Sequence, residues 1–163
     1  MVAPAAPRGL IQPVTRASLL LSLVALGGAG DSGMGTGQVV PLTATDYALE
    51  APDTVRAGSL ELAFENRGRV AHEVAVGLLR PGAGNREMIA AGQAGLRLRD
   101  APEHYLAGAP FGVLFAWPGR TSPAHLTIEA RRGQRYALFC TFRDSVKAPE
   151  HAAMGMVHVL EVR

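Results

Sequence analysis

Tyr136-Ala137-Leu138-Phe139-Cys140 and, after ten intervening residues, His151-Ala152-Ala153-Met154-Gly155-Met156-Val157 are the stretch around which the 163-residue chain is organised. Tyr136, Leu138 and Cys140 share one parity of an alternating strand, so the only cysteine leaves that strand on its apolar side. A histidine and two methionines follow at short spacing. Met156 to Val162 then returns to a strand pattern that closes the chain.

Thiolate, imidazole and thioether together are the donor types that select copper over harder metals. Such a set needs a second imidazole, and His72 in Asn66-Arg67-Gly68-Arg69-Val70-Ala71-His72-Glu73-Val74 is the obvious donor. His72, Val74, Val76 and Leu78 have one parity, so the imidazole points to the side where apolar residues are buried. A histidine so placed is ordinarily a core residue satisfied by one hydrogen bond. This one stands at the start of its strand, after a glycine-containing loop, where a strand end can hand a side chain to a rim site.

In these two segments the chain resembles the cupredoxins, the small blue-copper proteins of the plastocyanin and azurin type. Asn66, Gly68 and His72 match the first-histidine segment of plastocyanin-like domains. Tyr136 and Cys140, then His151 with Gly155-Met156-Val157, match their C-terminal ligand loop. The loop length departs from the family: two residues separate Cys from His in plastocyanin-like proteins and four in azurin-like ones, against ten here. The resemblance implies an all-β Greek-key β-sandwich with one short helical insertion. It also implies one copper ion held by His72, Cys140, His151 and Met156. Met154 is the alternative axial thioether. Asn66 would tie the first-histidine loop to the loop carrying Cys140.

The N-terminus has a different make-up. Arg8 and Arg16 form a basic region, Ala17 to Leu26 a short apolar run, and Gly27-Gly28-Ala29-Gly30 a small-residue cleavage region. Residues 1–30 therefore read as a secretory signal peptide, and export to the periplasm or the extracellular space is expected. The run is short for a lasting bilayer span. Membrane attachment would require that it stay uncleaved, and no cysteine stands near the cleavage region to carry a lipid. The whole chain has a formal charge of +2, but without Arg8 and Arg16 it holds 14 basic and 14 acidic side chains. Nucleic-acid binding is not expected from such a balance. A lone cysteine in an exported domain pairs with another chain, stays buried and inert, or binds metal. The neighbouring His and Met favour the metal.

Residues 31–37 read as a flexible glycine-rich linker and 38–163 as a single domain. Gln38 to Ala51 suggests a strand pair or one bent strand, and Leu60, Leu62 and Phe64 alternate in a half-buried strand. Beyond Pro81-Gly82-Ala83-Gly84, Asn85 can cap a short helix with Met88, Ile89, Ala91 and Leu96 inward. Phe111 to Trp117 is a dense apolar stretch, and Leu126, Ile128 and Ala130 alternate as another strand.

His104, His125 and His158 have no ligand spacing and read as surface or strand-face residues. Asp144 and Glu150 read as solvated charges of the long loop. No catalytic triad, phosphate-binding glycine loop or paired-cysteine zinc motif is present, and one cysteine cannot build a dinuclear copper centre. The leading expectation is a monomeric one-electron carrier that meets a redox partner protein. Electrons would pass through an exposed edge of His151, with Ala152 and Ala153 as docking surface. A copper-delivery protein and a metal-free interaction module are the alternatives. An enzyme is not expected, since four donors leave no open position.

Overall fold

The computed structural model describes residues 37–163, so the expected signal segment and the linker up to residue 36 lie outside the described residues. The clean alternation of Gly58–Asn66 makes the central strand β4 of the first sheet, burying Leu60, Leu62 and Phe64 on one face. Gln38–Thr45 (β1) pairs parallel to it, and Ala48–Glu50 (β2) folds back antiparallel on β1. The opening segment is thus a strand pair, turned through Asp46 and Tyr47. A second sheet takes Thr54–Val55 (β3), His72–Leu78 (β5) and Gly112–Ala116 (β6). Its remaining strands are Arg135–Phe139 (β9) and Val157–Val162 (β10), in the order β3-β10-β9-β5-β6. Arg120–Thr121 (β7) and Leu126–Ala130 (β8) return to the first sheet and pair antiparallel with β4 at successive stretches. The chain changes sheets five times, from β2 to β3, β3 to β4, β4 to β5, β6 to β7 and β8 to β9, giving a Greek-key sandwich.

Between the sheets lies a core of Leu42, Leu62, Phe64, Val74, Leu138 and Leu160, which Cys140 and Met156 extend at one end. A second core covers the outer face of the second sheet. Ala75, Ala137 and Phe139 point outward there and are roofed by Met88, Leu98 and Leu106 from the segment between β5 and β6. This explains why β5 is buried on both faces, where alternation alone led one to expect a single buried face. Gly77 permits the cover, since a Cβ there would stand 2.5 Å from a Leu106 methyl.

The helical insertion is α1, Asn85–Gln93, with Met88 fully buried. Its cap is Gly84 rather than Asn85, and no side chain caps it. Glu87, in the first turn, accepts its own backbone N–H, which with the Arg86 guanidinium holds its carboxyl below the usual range. Leu98, beyond the helix, takes the buried place expected of Leu96. Among the described residues no helix is long and apolar enough to cross a membrane.

Candidate metal centre

Three elements deliver the donors to one end of the sandwich. His72 opens β5, opposite Ala116 of β6. Cys140 follows the last residue of β9, and its N–H bonds the Met156 carbonyl at 3.1 Å just before β10. His151 begins a 3-10 turn, His151–Met154, closed by Gly155 in the left-handed conformation (φ 116°) that glycine tolerates. The Met156 N–H bonds back to the His151 carbonyl at 3.1 Å, so one backbone segment links cysteine, histidine and methionine.

The side chains converge. Nδ1 of His72 and Nδ1 of His151 are 3.1 Å apart, and Cys140 Sγ lies 4.0 and 3.6 Å from them. All three side chains are buried, and their donor atoms lie within 4.8 Å of one another. Donors bound at about 2.0–2.3 Å to one ion stand roughly 3–4 Å apart, so the triad fits a single soft transition metal. Burial raises the Cys140 thiol to about 12, against the pull of N–H groups from Glu73 and Phe142 directed at the sulfur. Burial, and then the neighbouring His151, lower the His72 imidazole, favouring its neutral, ligating form. Met156 is fully buried and packs in the same core as Cys140, whereas Met154 is 39% exposed.

A crystal structure of dithionite-reduced auracyanin from the photosynthetic bacterium Roseiflexus castenholzii is 19% identical to this chain. The likeness covers 79% of this chain and 99% of auracyanin, with a TM-score of 0.50. The chain has the cupredoxin fold. Auracyanin A, a blue copper protein from Chloroflexus aurantiacus, is 16% identical over 77% of this chain and 98% of its own (TM-score 0.47). Rusticyanin from Thiobacillus ferrooxidans is 15% identical over 77% and 76% (TM-score 0.43). No protein-family model and no curated protein sequence matches the chain.

On this cupredoxin frame several side chains differ from expectation. Asn66 donates to the carbonyls of Val70 (2.8 Å) and Ala116 (3.0 Å) and accepts the Gly68 N–H (2.8 Å). It therefore fastens the first-histidine loop to the end of β6, not to the loop after Cys140. The reason is register, because Ala116 is the residue paired with His72. The His151 side chain and Ala152 are fully buried and Ala153 is nearly so, so the expected exposed edge and docking surface are absent. Helix α1 packs against the turn at Ala152 and Ala153, and Gly92 lets it approach: a Cβ there would stand 2.9 Å from the Ala153 Cβ.

Neither loop carboxylate is simply solvated. Glu150 is 5% exposed and accepts the Leu98 N–H at 2.8 Å. Asp144 bonds His151 Nε2 (3.1 Å) and the Tyr47 hydroxyl (2.7 Å), which together hold its carboxyl below the usual range. Glu73 is the third such group, buried and bonded to Thr141 and Arg99 beside the sulfur. His104 and His125 are exposed, as expected, and His158 sits at the edge of β10 against the Pro52 carbonyl.

Proposed function

We propose that this protein holds one copper ion and carries single electrons, with His72, Cys140 and His151 as strong donors and Met156 as axial thioether. The carrying observation is the buried convergence of two imidazole nitrogens and the only cysteine sulfur at one end of the sandwich. Copper supplies the Cu(I)/Cu(II) couple when bound. The chain supplies position. Sheet pairing fixes His72, the backbone of Met156 fixes Cys140, and burial excludes water from all three strong donors. Little then has to move when the charge of the centre changes. The buried place of Met156 favours it over the exposed Met154 as axial donor. The Cys140 thiol keeps its proton until metal takes its place, so loading should release a proton.

The basic and apolar make-up of residues 1–30 supports export to the periplasm or beyond. There the protein would act as a monomer that meets a redox partner protein. A four-donor set leaves no position for a substrate, which supports a carrier over an enzyme. Copper delivery calls for a loop that opens, and here the loop is braced: Arg143 bonds the carbonyls of Ala148 and Val146, and the His151 N–H bonds the Phe142 carbonyl at 2.9 Å.

One equivalent of Cu(II) added to the purified domain, followed by its visible spectrum, tests the reading. An intense thiolate-to-copper charge-transfer band, abolished in Cys140→Ser, is the expected result. Tight Cu(I) binding without that band would favour delivery, and no binding of either ion would leave a metal-free module.

A further inference from the structure

The outer nitrogen of His151 does not face solvent. Nε2 lies 3.1 Å from one oxygen of Asp144, and the other oxygen accepts the Tyr47 hydroxyl at 2.7 Å. Both carboxylate oxygens are thus committed, one within the loop that carries His151 and the other to Tyr47, 97 positions earlier in the sequence. Tyr47 also lays its ring against the His151 ring, with centroids 5.1 Å apart and planes at 83°, and reaches toward His72 at 6.4 Å. It does so from a left-handed backbone conformation, φ 64°, the only positive φ at a non-glycine among the described residues. A bulky aromatic residue adopts that conformation at a cost and keeps it only where its surroundings impose it. They do so here: Asp46, its neighbour in the turn, is bonded through both oxygens to Arg69 of the first-histidine loop, at 2.7 and 2.6 Å. The Asp46-Tyr47 turn therefore joins both loops that deliver histidines. His72 offers the contrast, since its Nε2 is buried without a hydrogen-bond partner among the described residues.

We propose that Asp144, oriented by Tyr47, is a positioning residue that fixes the proton of His151 on Nε2 and so presents Nδ1 as the donor atom. A carboxylate on the far nitrogen of a ligating imidazole fixes its tautomer and ring orientation and raises its basicity. A negative charge behind the imidazole favours the more highly charged Cu(II) over Cu(I). The inference rests on the copper reading for its redox consequence, but the tautomer of His151 can be read without metal.

The test uses Asp144→Ala, Asp144→Asn and Tyr47→Phe. In the copper-free domain, nitrogen NMR of the His151 ring should show the proton on Nε2 in the parent. It should show a mixture of tautomers in Asp144→Ala and the parent state in Asp144→Asn, whose amide oxygen can still accept. With copper, Asp144→Ala should lose about tenfold to a hundredfold in Cu(II) affinity relative to Cu(I). The reduction potential should rise correspondingly, about 59 mV for each factor of ten in a one-electron couple. Tyr47→Phe should move it the same way by less. Unchanged tautomer populations in Asp144→Ala would overturn the proposal, as would an unchanged potential in a variant that still binds copper. Failure of every variant and the parent to bind copper would sink the carrier reading alone, since the metal-free spectra would still decide the role of Asp144.

Discussion

The two histidines reach the centre by different constructions. His72 is delivered by a sheet. Its strand β5 is paired on one side by β6 and on the other by β9, and Asn66 ties the preceding loop to the β6 end. His151 is delivered by a turn, after residues 143–150 leave the fold and return. The excursion closes on itself where the His151 N–H meets the Phe142 carbonyl at 2.9 Å. Seen from the centre, only Thr141 and Phe142 separate the cysteine from that closure, the same two-residue separation as in plastocyanin-like loops. Position that a sheet gives through its ladder, a loop must obtain from individual side-chain contacts: Asp144 on the ring, Glu150 on the Leu98 N–H, and α1 pressed against Ala153.

Breaking the sheet side should cost most. Asn66→Ala leaves the Gly68 N–H and the carbonyls of Val70 and Ala116 without their buried partner, a loss on the order of 3 kcal/mol. Urea unfolding would measure it, and a loss below the cost of one hydrogen bond would mean that β5 positions His72 unaided. On the loop side, Gly92→Ala should destabilise by about 1–3 kcal/mol, because its Cβ meets Ala153 at 2.9 Å. Helix propensity alone would make the same change stabilising by up to about 1 kcal/mol. A more stable variant would therefore show that α1 does not press on the ligand turn. Smaller again is the axial effect. Met156→Leu should keep the copper and raise the potential, since a weak axial donor stabilises Cu(II) more, while Met154→Leu should do little. The reverse outcome would exchange the two methionines.

The sheet side was the more legible in the sequence. The parity of His72 with Val74 and Val76, and of Cys140 with Tyr136 and Leu138, placed both donors on the inner face, and alternation of Leu60, Leu62 and Phe64 marked the central strand. Pattern within a segment reports such features because a strand alternates whatever lies across from it. The loop side depends on pairs far apart in sequence. Tyr47 meets Asp144 across 97 positions and Leu98 meets Glu150 across 52, and neither separation carries a periodic signal. Gly92 is a poor helix residue by propensity, though it is the gap through which the helix reaches the turn that carries His151. The one cue on this side was Tyr47 beside Asp46 between β1 and the short β2, a turn position where an aromatic residue is uncommon.

Glu150 offers the finest test of how the loop is held. It precedes His151, and its carboxyl is raised above the ordinary 4.5 chiefly by burial, against the opposing pull of its bond from the Leu98 N–H. Its second oxygen has no hydrogen-bond partner among the described residues; the nearest cation, Arg97, stands 3.9 Å away. As pH rises above 4.5, the unfolded chain gives up this proton before the folded one does. The folded state then binds more protons, so this group's stabilising contribution is full below 4.5 and is lost as pH rises through the raised value. Glu150→Gln keeps a carbonyl oxygen for the Leu98 N–H and removes the titration. Its stability relative to the parent should therefore improve as pH rises from about 4.5 through the raised value and stay level above it. Urea midpoints of the two proteins measured across that range would check this. Parallel curves would show that the carboxyl titrates alike in folded and unfolded chains. The bond to Leu98 would then be sufficient compensation for burial, and the loop would be held at no electrostatic cost.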